Sequence, residues 1–163
     1  LQQCSTDIRG FDSNTVGPRG ITRFPTTISE NGQVVVAPDS LDRIQTSYRG
    51  TGGNASFFGG IELITPTPFL SEEYTNSVRT SFFVDVGNVW DTEFDISAYD
   101  DLAAAERAKI VDYSDASRYR SSAGVSIQWL SPMGPMVFTW SKPLKEYEDD
   151  VHEVFSFNIG TTF

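Results

Sequence analysis

The chain has 163 residues, 39% of them hydrophobic, and its 22 acidic against 12 basic residues give a formal charge of -10. That charge repels a phosphate backbone and sets nucleic acid aside as a partner. Unbroken apolar runs such as Phe82 to Val84 fall far short of the roughly 20 residues a membrane-spanning helix needs, whereas a β-barrel stays open because its alternating strands average to a polar-looking composition.

The length suits one domain with a sizeable core. Eight of the acids fall in residues 91 to 121 and five in 142 to 153, stretches that read as solvated loops. Cys4 is the single cysteine, so an internal disulfide and a cysteine-based zinc site are excluded. The first residues lack the basic-then-apolar layout of a signal peptide. Together with the strand pattern below, this sets the expectation that the chain is a fragment.

Residues 1 to 54 are rich in Gly, Pro, Ser, Thr and Asn, including Gly17-Pro18 and Gly50 to Asn54. They read as one long loop with a hint of a strand at Val34 to Val36. A loop of that length is uncommon in a compact domain unless it has a function. From Ala55 the pattern turns to period 2 and predicts five strands, at about 55 to 65, 77 to 90, 121 to 131, 135 to 142 and 153 to 163.

In the second strand Val78, Thr80, Phe82, Val84 and Val86 share one face, and Arg79, Ser81, Phe83, Asp85 and Gly87 the other. In the third, Ala123, Val125, Ile127 and Trp129 oppose Ser122, Gly124, Ser126 and Gln128. Leu102 to Val111 predicts a short helix capped by Asp100 or Asp101, inside the long connection that follows the second strand. In the fifth strand Phe155, Phe157, Ile159, Thr161 and Phe163 oppose Ser156, Asn158, Gly160 and Thr162.

Strands of about 10 residues match a tilted bilayer crossing and exceed the usual soluble strand of about 5 to 6. The connections alternate between short, as at Ser131 to Pro135, and long or charged, as in barrels with short periplasmic turns and long outer loops. Trp90, Trp129, Tyr147 and Phe163 fall near strand ends, where an aromatic girdle belongs. On strand pattern alone a soluble ligand-binding β-domain with its apolar faces turned inward fits equally well.

Two segments carry a family resemblance. Phe155 to Phe163 looks like the C-terminal signal by which outer-membrane proteins are recognised for assembly. Ile8-Arg9-Gly10-Phe11 and its continuation Asp12 to Pro18 resemble a motif of the BamA family of outer-membrane assembly factors. Glu62 to Phe69, Asn76 to Trp90 and Gln128 to Pro135 resemble further stretches of that family, in the same order.

The resemblance implies an all-β, antiparallel transmembrane β-barrel, with the five strands as the last five of a sixteen-stranded barrel. It implies that residues 1 to 54 form most of an extracellular loop and that Phe163 is the natural C-terminus. It further implies a place in the bacterial outer membrane and a role in folding and inserting other barrel proteins through a lateral seam. Implied partners are outer-membrane lipids, unfolded outer-membrane protein substrates, and assembly-complex lipoproteins bound by periplasmic domains that precede this segment. A related barrel transporter that secretes a partner protein is the neighbouring possibility.

Arg9 precedes a glycine, so a tight turn can project its guanidinium, the group suited to bidentate pairing with carboxylates in a confined space. The strand faces put Glu62 and Asp85 on the mixed, lumen-facing side of neighbouring strands, where unpaired carboxylates are costly if water is excluded. From the residues alone, Arg9 reads as a solvated loop residue and the acids as lining a wet lumen. With the resemblance, the expectation is that the loop folds back and Arg9 pairs with both. A second candidate site is the last strand, with Phe155, Phe157, Ile159, Gly160 and Phe163. There Gly160 is expected either to weaken the strand at a seam with the first barrel strand or to leave packing room for the loop.

Enzyme chemistry is not expected. The single histidine, His152, lies among Glu146, Glu148, Asp149, Asp150 and Glu153 and reads as a solvated loop residue. Nucleophile-elbow and phosphate-loop motifs are absent, as is the spacing of an EF-hand, so neither cofactor nor metal is expected.

Overall fold

A computed structural model describes residues 8–12, 15–67 and 77–160. The first segment builds β1 (Arg19–Phe24), β2 (Thr27–Glu30), β3 (Gln33–Val36) and β4 (Arg43–Gly50). Then come β5 (Ala55–Pro66), β6 (Val78–Trp90), the single helical turn α1 (Ala104–Arg107), β7 (Arg120–Ser131), β8 (Gly134–Lys145) and β9 (Phe155–Ile159). Strands β5 to β9 form one antiparallel sheet in sequence order. Among the described residues no helix is long and apolar enough to cross a membrane.

The sheet is built inside out relative to a soluble sandwich. Register places Ile61 opposite Val84 and Leu63 opposite Phe82 on one face, which continues through Val125, Ile127, Phe138 and Trp140 to Phe155 and Phe157. Ile61 is 80% exposed, and Leu63, Phe82, Val84, Trp140, Phe155 and Phe157 are exposed as well. The aromatic side chains zip across the last strands, with ring centroids 4.9 Å apart for Phe138 and Phe157 and 5.3 Å for Trp140 and Phe155. The opposite face carries Ser81, Asp85, Ser122, Ser126, Thr139 and Ser141, all buried. An exposed apolar band backed by a buried polar face is the arrangement a lipid-facing barrel wall needs, and β5 to β8, at 12 or 13 residues each, are long enough to cross a bilayer.

The connections 91 to 119 and 146 to 154 leave the sheet at the same end, while β7 and β8 join through a tight hairpin that pairs Ser131 with Gly134. The expected strands at 55 to 65, 77 to 90, 121 to 131 and 135 to 142 all form, with ends shifted by one to three residues. The fifth is shorter than expected within the described residues. It ends at Ile159 because Gly160 turns to a positive φ of 80° while donating its N–H to Pro135 O at 2.8 Å.

Two further expectations change. The segment read as one long loop contains two antiparallel ribbons, β1 with β4 and β2 with β3; the strand hinted at by Val34 to Val36 is β3, and the other three strands were not expected. The inner ribbon closes on Asn31 and Gly32, both at positive φ, the signature of a two-residue hairpin turn that the weight of Gly, Pro, Ser and Thr hid. The expected helix of residues 102 to 111 contracts to four residues capped at Ala103. Its expected caps are engaged elsewhere: Asp100 accepts from Arg107 Nε at 3.1 Å and Asp101 from Arg23 Nη2 at 2.6 Å.

Candidate functional site

Ile8 to Phe11 folds onto the polar face of the sheet in one tight turn, closed by Phe11 N–H donating to Ile8 O at 3.2 Å. Gly10 takes φ of 98°, and a Cβ there would lie 3.1 Å from the Ser141 side chain, so both conformation and space require glycine. Ile8, Phe11 and Val16 are buried together beside it. Ser122 Oγ donates to Arg9 O, tying the turn's backbone to β7.

The turn delivers the Arg9 guanidinium to two carboxylates. Nε donates to Asp85 Oδ2 at 2.7 Å and Nη2 to Asp85 Oδ1 at 3.0 Å, a forked pairing, while Nη1 reaches Glu62 Oε2 at 3.3 Å. The Asp85 side chain is 12% exposed and that of Glu62 41%, so Asp85 is the principal partner and Glu62 a wetter, weaker one. The guanidinium also lies 3.6 Å from the Phe83 ring centroid, which supplies a cation–π platform from the same strand as Asp85.

Two glycines clear the space for this arrangement. A Cβ at Gly60 would meet Asp85 Oδ1 at 2.7 Å, and one at Gly124 would meet the Phe83 ring at 2.6 Å. Phe83, Gly60, Gly124 and Ser122 were not singled out from sequence, because their roles follow from cross-strand register: Gly60 opposite Asp85 and Gly124 opposite Phe83.

The turn is also clasped from the far side. Phe11 bridges His152 in antiparallel fashion, Asp12 N–H donates to Val151 O at 2.8 Å and Glu153 N–H to Gly10 O at 3.1 Å. His152, expected as a solvated loop residue, is exposed; its ring meets the Phe11 ring edge-on at 5.7 Å between centroids, and its Nε2 lies 3.0 Å from Glu146.

At the last strand, Phe155, Phe157 and Ile159 point to the exposed apolar face, and among the described residues β9 pairs only with β8. Gly160 follows the last described residue of β9, and among the described residues nothing stands within 4 Å of where its Cβ would be. Phe163 lies outside the described residues.

Residues 4–163 match a family model described as the Omp85 superfamily domain. The outer membrane protein assembly factor BamA of Neisseria meningitidis serogroup B is 32% identical over 166 residues, which cover 96% of this chain and 17% of that relative. The crystal structure of BamA from Haemophilus ducreyi lacking POTRA domains 1-3 is similar with a TM-score of 0.70 at 32% identity, over 96% of this chain and 26% of that one. The chain thus spans a small part of the length of the proteins it matches.

Proposed function

The chain belongs to the Omp85 superfamily, whose place is the bacterial outer membrane, and from that premise we propose that it is the C-terminal wall of a barrel that folds and inserts other outer-membrane proteins. In this reading its strands are the last five of a sixteen-stranded barrel, and residues 1 to 54 belong to an extracellular loop. The observation that carries it is the Arg9 turn seated on the polar face of a sheet whose other face is an exposed apolar band.

The work is done without covalent chemistry. The apolar band faces lipid, while the polar face and the returned loop line the lumen. Among the described residues the second edge of β9 has no partner strand, and backbone groups along such an edge can template an incoming strand by main-chain hydrogen bonding. Arg9, pinned to Asp85 and Glu62, holds the loop in one conformation, and such a desolvated pairing contributes specificity more than net stability. The substrates are unfolded outer-membrane proteins, and lipoprotein partners bind through periplasmic domains outside this segment.

The test is assembly of an unfolded barrel substrate by the intact protein in proteoliposomes, followed by the substrate's heat-modifiable gel mobility. Arg9→Ala is expected to slow assembly strongly, and Arg9→Lys to restore it only in part because an ammonium cannot fork. Unaltered assembly by Arg9→Ala would remove the loop from the mechanism. Export of a soluble partner in place of insertion would move the protein to the secretion branch.

A further inference from the structure

A second buried ion pair lies away from Arg9, on the charged connection between β8 and β9. Arg120, at the start of β7, is 5% exposed, and the Asp150 side chain is fully buried. Arg120 Nη2 and Nε both reach Asp150 Oδ1, at 3.0 and 3.1 Å, and Asp150 Oδ2 accepts the Tyr147 N–H at 2.8 Å. Arg120 Nη1 donates to Asn88 Oδ1 at 3.3 Å, and Asn88, itself 1% exposed, donates to Ala116 O at 3.0 Å. Tyr147 covers the group, its ring centroid 4.0 Å from the Arg118 guanidinium. From the other side Arg19 donates to Asp149 O.

This pairing fixes one short run of chain that has two other attachments. Val151 O and the Glu153 N–H hydrogen-bond the Arg9 turn through Asp12 and Gly10, and Ser141 Oγ donates to Glu153 O at 3.0 Å. Two residues later the chain enters β9 at Phe155. The Arg9 turn and the last strand therefore touch through a segment whose position Arg120 sets.

We propose that Arg120 and Asp150 are positioning residues that hold the 146 to 153 connection against the Arg9 turn and so couple that turn to the outer end of β9. Arg9 pins the loop to the wall, and Asp150, through Arg120 of β7, pins the last strand's lead-in to the same wall, where Val151 and Glu153 meet the loop. A turn seated by Arg9 without this second anchor leaves β9 free to detach from β8 at its Phe155 end. The inference rests on the barrel-assembly reading for the consequence of that detachment, and not for the coupling itself.

Hydrogen exchange by mass spectrometry on the intact protein in lipid nanodiscs tests it. Asp150→Asn keeps the shape and leaves the Arg120 charge uncompensated. Exchange at Asp12, Glu153 and Phe155–Ile159 is expected to accelerate about tenfold or more, the scale of a lost charge-assisted hydrogen bond, with Phe82–Asp85 and Val125–Gln128 unchanged. Assembly in proteoliposomes is expected to slow in parallel. Unchanged exchange in β9, or equal acceleration across the whole sheet, overturns the coupling, and local acceleration with full assembly overturns its part in function. If Asp150→Asn yields no folded barrel, Arg120→Lys, which keeps the charge but not the fork, is read by the same criteria. A wild type that assembles nothing refutes the barrel-assembly reading alone, since the exchange contrast still decides the anchor.

Discussion

The Phe83 ring packs over Gly124. The two residues stand opposite each other in the register of β6 and β7, Phe83 is 2% exposed, and a Cβ on Gly124 would come within 2.6 Å of its ring. The missing side chain on one strand is thus the condition for the ring on the next, and the ring in turn is the surface on which the Arg9 guanidinium rests.

Gly124→Ala should therefore act on Arg9 at a distance. The added methyl also meets Trp140 O at 2.1 Å, so β7 and β8 must separate as well as Phe83 moving. Overpacking of this kind costs about 1–3 kcal/mol, and more where backbone must shift. The expected outcome is a lower temperature for loss of heat-modifiable mobility, together with weakened coupling between Arg9 and Asp85 in a double-mutant cycle. A variant with wild-type mobility and coupling would show that the platform is unnecessary.

The two carboxylates should not be equal. Asp85→Asn breaks the forked, largely buried pairing and is expected to cost about 3 kcal/mol, toward the lower end for broken buried pairs because the Arg9 side chain is 31% exposed. Glu62→Gln loses a longer contact to a half-exposed group and should cost about 0.2–1 kcal/mol. Urea unfolding in micelles measures both, and equal losses would overturn the ranking.

The exposed band predicts a depth-dependent penalty for charge. Val84 is the middle residue of β6 and faces outward beside Ile61, so Val84→Lys should destabilise the barrel in lipid by about 2–4 kcal/mol. The same substitution in a domain that folds in water with this face exposed would be nearly neutral. Equilibrium unfolding from phospholipid vesicles separates the two.

The contact between the β1–β4 ribbon and the connection that follows β6 should respond to acid. The Arg23 guanidinium holds the Asp101 carboxyl below its ordinary value of 3.8, and Lys109, with the Ile44 N–H, holds Glu106 below its ordinary 4.5. A carboxyl depressed on folding stabilises the folded loop above the ordinary value, and the benefit is lost as pH falls through the depressed one. The contact between residues 91 to 119 and the β1–β4 ribbon is therefore expected to be intact at neutral pH and to loosen below about pH 4. Limited proteolysis with an acid-active protease across pH 2 to 6 follows it, and Arg23→Met should flatten the Asp101 part of the response.

Strand positions and faces were legible because alternation is a local property. Phe82 and Val84 point one way and Phe83 and Asp85 the other wherever the chain is extended, and turns such as Ser131 to Pro135 announce themselves by composition. The Asn31-Gly32 hairpin was equally local and was obscured only by its polar surroundings. Arg9 was identifiable as a candidate because of its neighbours Gly10 and Phe11 and the family resemblance they carry.

What alternation leaves open is which face turns outward. That depends on what covers the other face, and here it is Ile8 to Phe11, returning from more than 70 residues away to bury Asp85 and Ser122. The seats of Gly60 and Gly124, the pairing of Arg120 with Asp150, and the clasp between Asp12 and Val151 share the same origin. Each joins residues whose separation along the chain carries no information about distance until strand register is set. Strands β5 to β9 could be read along the chain because period 2 is set by neighbouring peptide units; the site could not, because closing a loop onto a wall is a contest between chain entropy and contacts that exist only once the sheet is formed.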